Sequence, residues 1–206
     1  GVGASLAASP GFYLGSDFHF DMVRLGSLVH GMESSESPSP LEPAIKLETK
    51  ITEIRIVNAG EGVGYGRTGA SDRQSRKIAT LACGFGDGLP RGLNNSGKAF
   101  INGKEVPIVS KVMMDMVEVD VTDIDESLLK PGMLVQLLGP EYTIDDMAED
   151  AKTIAADITT SLQDRVYREV VSGGLPFQQA QAEREELAAL SRLPDLFVPD
   201  QHAQRA

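Results

Sequence analysis

The residues of this chain best suited to chemistry fall between positions 61 and 123, where a tyrosine, a Gly-rich segment and a Met-Asp pair follow one another. Tyr65 lies in EGVGYGRTG, between Gly64 and Gly66. Glycines let the backbone turn sharply and bring a side chain up to another surface. A phenol titrates near 10 and needs a neighbouring cation to transfer protons at neutral pH. Both a packing tyrosine and a proton-transferring one suit this turn. Downstream lie GFGDG at 84–88, Asn102-Gly103, and Met114-Asp115 in VSKVMMDMV.

Other polar clusters are weaker candidates. Asp17, His19 and Asp21 alternate in DFHFD as metal ligands would, but no further donors converge on them. Asp120, Asp123, Asp125 and Glu126 lack the glycine and spacing of a calcium loop. GFGDG has neither the lysine nor the following Ser/Thr of a phosphate loop. Neither a metal site nor a nucleotide phosphate loop is expected.

The elements that must position Tyr65 and Met114-Asp115 read mainly as β. AIKLETKITEIRIV, KIATLAC, KAFI, KEVPIV, MVEVDVTD and MLVQLLG are short β-prone runs separated by turn residues. Such a series predicts a small barrel or sandwich. Asn102-Gly103 predicts a type I′ hairpin between KAFI and KEVPIV. MVEVDV alternates apolar and acidic residues, which predicts a half-exposed strand. Residues 143–162 predict one helix, opened by Thr143 and Asp146 as a capping box. Its apolar stripe is Ile144, Met147, Ala148, Ala151, Ile154, Ala155 and Ile158.

The flanks differ in texture. Residues 1–32 read as an incomplete α/β piece, with a helix start at Ser16 or Asp17 and a short strand in GSLVHG. Residues 33–43, ESSESPSPLEP, have the composition of a linker. Beyond about 172, SGGLP breaks the chain and QQAQAEREELAALSRL predicts an amphipathic helix in a 172–206 tail.

The 206 residues are 41% hydrophobic and 24% charged, the balance of a globular protein with a real core. A net charge of −11 opposes binding to nucleic acid and to anionic membranes. No apolar run approaches the roughly 20 residues that span a bilayer. The lone cysteine, Cys83, sits in the apolar run IATLACG, which predicts a buried thiol and suits a reducing cytoplasm. The first residue is Gly rather than Met, as in a fragment or processed product.

Taken in order, GVGYG at 62–66, GFGDG, the Asn-Gly hairpin and Met114-Asp115 resemble the C-terminal domain of alanine racemase. The resemblance covers roughly residues 5–171. It implies a mainly β domain (barrel or sandwich) over 44–171 with a C-terminal helix. Residues 1–32 would then be the end of a (β/α)8 barrel that binds pyridoxal 5'-phosphate (PLP). Tyr65 would be the catalytic tyrosine that takes or gives the substrate α-proton. Met114 would offer its backbone N–H to the substrate carboxylate, with Asp115 holding the loop. Arg24 would donate to the cofactor's ring nitrogen, and Ser9, Gly26 and Ser27 would hold its phosphate. Alanine would be the substrate, and a head-to-tail homodimer or a separate barrel chain would complete each site.

The sequence also departs from the family pattern. Leu25 replaces a proline after Arg24, Ala8 stands where asparagine is usual, and Pro10 has no N–H. Phe85 and Ala156 replace tyrosines, and Ser110-Lys111 replaces Gly-Arg. The cofactor-anchoring lysine has no counterpart, because all eight lysines lie between 46 and 152. The expectation is the C-terminal part of a cytoplasmic alanine racemase, inactive as this chain alone, supplying D-alanine for peptidoglycan. The rival expectation is a non-catalytic binding or dimerisation module derived from a racemase. Selectivity for another amino acid, such as serine, would depend partly on barrel residues.

Overall fold

Alternating apolar residues and turn chemistry build six antiparallel strands in the computed structural model, which describes residues 2–32, 41–66 and 75–171. They are β1 (Leu47–Val57), β2 (Arg76–Leu81), β3 (Lys98–Ile101), β4 (Lys104–Pro107), β5 (Val117–Asp120) and β6 (Leu134–Leu138). Their order is β4-β3-β6-β1-β2-β5. The edges then meet: Ile108, just past β4, bridges Val119 of β5, and Val109 N–H donates to the Glu118 carbonyl at 2.9 Å. The sheet is thus a nearly closed barrel, which leaves few unpaired backbone groups at its edges.

β1 is long because it serves two neighbours. Leu47–Lys50 pairs with β6 and Ile51–Val57 pairs with β2, with a register irregularity between Ile51 and Glu53. Such bulges bend a strand around a barrel corner. The expected hairpin forms as predicted: Asn102 (φ 48°) and Gly103 (φ 77°) both take positive φ, and Ile101 faces Lys104. Inside lie Ile51, Leu81, Leu89, Ile101, Val117, Val135 and Leu137, all essentially solvent-free.

The half-exposed reading of MVEVDV does not hold. Val117, Glu118 and Val119 are all buried, Glu118 at 5% exposure. Closure against residues 108–110 covers the face that alternation assigned to solvent. Glu118 meets that burial by pairing with Arg55, Oε1 to Nη2 at 2.6 Å.

The helix predicted over 143–162 is two helices, α2 (Ile144–Ala151) and α3 (Ala155–Ser161), broken where Lys152 takes φ 56°. They follow α1 (Ser9–Phe12), a single turn near the start of the chain. The capping box is present: Thr143 Oγ1 accepts from Asp146 N–H, and Asp146 accepts from Thr143 N–H. Ile144, Met147, Ala148, Ala151 and Ile158 are buried as the stripe requires. Ile154 is not, because it lies in the break, 67% exposed.

Residues 2–32, read as an α/β piece, carry helical turns and no strand. One helical turn, α1 (Ser9–Phe12), and an isolated parallel bridge between Ala8 and Arg24 are its main ties. GSLVHG is not a strand: Ser27–His30 is a 3-10 turn, and no strand among the described residues pairs with it. Nor does Ser16 or Asp17 cap a helix; Gly15 precedes a single 3-10 turn, Ser16–Phe18.

The chain divides into two compact units, Gly1–Val166 and Tyr167–Ala206. Of the second, only 167–171 are described, and they carry no helix or strand. Most of the expected 33–43 linker and all of the 172–206 helix lie outside the described residues. No helix among the described residues is long and apolar enough to cross a membrane.

Candidate functional site

Tyr65 stands at the tip of a turn whose base is closely packed. Gly64 has φ 68°, and a Cβ on it would lie 2.6 Å from Ser110 Cβ and 3.0 Å from Glu118 Oε2. Only glycine permits both the dihedral and the contact. Ser110 is itself fixed, accepting from Glu118 N–H at 3.0 Å and donating to the Lys111 carbonyl at 3.0 Å. The loss of the family's usual glycine at 110 thus coincides with a serine that anchors the Tyr65 turn. The phenol is 78% exposed, presented outward rather than packed on its own domain.

Met114-Asp115 lies four residues beyond Ser110, and GFGDG holds it. Phe85 N–H donates to the Met113 carbonyl at 2.9 Å and Gly86 N–H to the Met114 carbonyl at 2.8 Å. The approach is so close that a Cβ on Gly84 would lie 2.2 Å from the Met113 oxygen. A peptide unit is planar and trans, so pinning the Met113 carbonyl to GFGDG turns Met114 N–H the other way. That N–H donates to no group among the described residues. It is oriented and available.

Sequence reasoning missed the groups that hold this arrangement. Arg165 donates from Nε to Asp87 Oδ1 at 2.7 Å and from Nη2 to Asp115 Oδ1 at 2.6 Å. Asp87 uses its other oxygen to accept from Gly84 N–H at 2.8 Å. Arg91 stacks its guanidinium over Phe85 at 5.6 Å, occupying the ring that replaces tyrosine. Arg165 is fifty residues from Asp115, so no local pattern could have signalled it. Cys83, beside GFGDG, is buried as expected; burial first, then Asp87, push its thiol up to about 12, against a smaller opposing effect of Arg165.

The second cluster belongs to the α/β piece. Ser9 is buried, and its Oγ accepts from Gly26 N–H at 2.9 Å and lies 3.5 Å from Leu28 N. Arg24 donates its backbone N–H to the Ala7 carbonyl and its Nη1 to Ser5 Oγ at 2.6 Å. Gly26 N–H is thus committed to the Ser9 hydroxyl, while the space over Gly26 is open. Ser9, Arg24, Gly26 and Ser27 are neighbours in the structure. In this structure the Arg24 guanidinium serves Ser5 and the Leu6 carbonyl, Gly26 N–H serves Ser9, and residues 1–32 contain no lysine for the aldehyde end of PLP. His19 stacks on Phe12 with Nε2 2.8 Å from its carbonyl, and Asp21 accepts from Ala4 N–H. No metal-binding group of His, Cys, Asp or Glu occurs among the described residues.

The barrel with its Tyr, Met and Asp surface defines a class. Residues 44–170 match the family described as "Alanine racemase, C-terminal domain". The chain belongs to the alanine racemase family. It is 40% identical over 168 residues to a catabolic alanine racemase of Agrobacterium fabrum, covering 81% of this chain and 43% of that protein. Against an alanine racemase of Rhodospirillum rubrum the figures are 37% over 169 residues, 82% and 45%. The crystal structure of alanine racemase from Bartonella henselae with covalently bound pyridoxal phosphate superposes with a TM-score of 0.77 at 36% identity. That superposition covers 83% of this chain and 47% of the other. The chain thus spans about half the length of the relatives it matches.

Proposed function

We propose that this chain supplies one face of an alanine racemase active site, interconverting L- and D-alanine when a PLP-bearing barrel is present. The observation that carries this reading is the oriented Met114 N–H, without a partner among the described residues, four positions beyond the Ser110 on which the Tyr65 turn rests. In this reading residues 1–32 are the end of the barrel and 44–171 the β domain, and D-alanine goes to peptidoglycan. A head-to-tail partner would bring Tyr65 of one chain to the barrel of the other.

Each residue has one task. Met114 N–H donates to the substrate carboxylate and fixes which face of the α-carbon meets Tyr65. Asp115 keeps that turn in place. Tyr65 Oη, as phenolate, would take the α-proton in one direction and, as phenol, give one in the other, with the base on the opposite face supplying or accepting the balancing proton. Arg24 would donate to the ring nitrogen; an arginine does not surrender its proton, so that nitrogen would stay an acceptor. Ser9, Gly26 and Ser27 would hold the phosphate. PLP, when bound, supplies the electron-withdrawing ring that acidifies the α-C–H. Exchange on the opposite face requires a second base, which the missing lysine would provide.

Tyr65→Phe in the native protein is expected to lower racemisation by about 10²–10⁴-fold, with alanine still bound. Unchanged racemisation sinks the role. The absence of a lysine in 1–32, with Phe85 and exposed Ala156 in place of tyrosines, favours a second reading, a non-catalytic module retained for binding or dimerisation. The intact mass of the native protein separates the two. A product heavier by a barrel supports the racemase; 22.0 kDa with no partner chain supports the module.

A further inference from the structure

We propose that Arg165 is a positioning residue: by joining Asp87 to Asp115 it holds the Met114-Asp115 turn in the orientation that receives the substrate carboxylate. The inference rests on the racemase reading above. Its basis is a closed set of contacts. Arg165 offers Nε to Asp87 at 2.7 Å and Nη2 to Asp115 at 2.6 Å, one oxygen on each carboxylate. Asp87 Oδ2 accepts from Gly84 N–H, and the next two N–H groups, of Phe85 and Gly86, hold the carbonyls of Met113 and Met114. The segment carrying Arg165 is tied to the same turn, since Gln163 N–H donates to the Asp87 carbonyl at 3.1 Å.

Arginine suits this place for geometric reasons. Its planar fork presents two donors at fixed divergence, which a lysine ammonium does not. Gly86 makes room, because a Cβ there would lie 3.2 Å from Arg165 Nη1. Without Arg165 the two carboxylates would face one another uncompensated, and Asp115 would swing outward. The Met113 and Met114 carbonyls would then lose their fixed register, and the direction of Met114 N–H with it. The guanidinium is 46% exposed, so salt screens the pair and its main contribution is to direction rather than to stability.

The test compares the native protein with Arg165→Gln and Arg165→Lys, by amide hydrogen exchange and by alanine kinetics. Arg165→Gln is expected to speed exchange at Phe85 and Gly86 by roughly tenfold, leaving the β2–β5 ladder unchanged. It should raise KM for L-alanine roughly tenfold with kcat within about twofold. Arg165→Lys should recover only part of either effect. Unchanged exchange and KM in Arg165→Gln, or full recovery with lysine, overturns the inference. So does faster exchange spread over the whole barrel, which would mark a general structural role. An unaltered protein without racemase activity overturns the racemase reading instead, and the substrate part of this inference with it.

Discussion

Gly64 and Ser110 are in such close contact that a methyl group on the glycine would lie 2.6 Å from the serine Cβ. The tip bearing Tyr65 is therefore built on a contact that admits no side chain. Gly64→Ala should destabilise the protein by about 2–4 kcal/mol, combining left-handed backbone strain with the clash. Gly60→Ala is the control, because Gly60 has φ 80° but open space around it. That change should cost only about 1–2 kcal/mol. Urea unfolding of both variants checks the difference, and equal losses would refute the packing argument.

Arg55 and Glu118 make the second test. Glu118 is buried, with Oε2 lacking a hydrogen-bond partner among the described residues, so it relies on Arg55 at 2.6 Å. Arg55→Met strands that carboxylate and should cost about 1–3 kcal/mol, a range lowered because Arg55 is about one-third exposed. Adding Glu118→Gln should return part of the loss. A double variant no better than the single one would argue against charge burial as the cause.

Cys83 gives a pH dependence with a definite sign. Burial raises its thiol from 9.0 to about 12, so between those values the folded chain holds a proton that the unfolded chain releases. The contribution to stability is complete below pH 9 and is lost as pH rises toward 12, at up to about 1.4 kcal/mol per pH unit. Denaturation at pH 8 and pH 10 should show the decline, and Cys83→Ser should flatten it. At pH 8 a thiol reagent should label the native chain slowly and the unfolded chain at once.

The capping box at the start of α2 tests the helix boundary directly. Thr143→Ala removes the acceptor for Asp146 N–H and should cost about 1 kcal/mol. Thr143→Ser should retain most of it. Thermal unfolding of the two variants distinguishes a cap from simple loss of packing.

Much of this architecture was legible from short stretches. Asn102-Gly103 specifies its hairpin because both positions need positive φ, and Thr143 with Asp146 specifies a helix start through bonds within one turn. The strands, the buried Cys83 and the motifs around Tyr65 and Met114 follow from equally local patterns. The errors have a common origin. Alternation in MVEVDV reports a solvent face only while one side of the strand is bare, and the Ile108–Val119 bridge covers it. GSLVHG has a strand's composition but no described strand beside it to pair with.

The sequence by itself determined the turns, caps and strand-forming runs, because those depend on torsional preferences and contacts within a few residues. It also determined the order of the Tyr, Gly-rich and Met-Asp motifs. Only the tertiary structure decided that Glu118 is buried on Arg55, that Gly64 rests on Ser110, and that Arg165 binds both Asp87 and Asp115. Those pairs are separated by 46 to 78 positions. Nothing local distinguishes their members from ordinary surface residues until barrel closure brings them within reach, where charge and close packing act over a few ångströms.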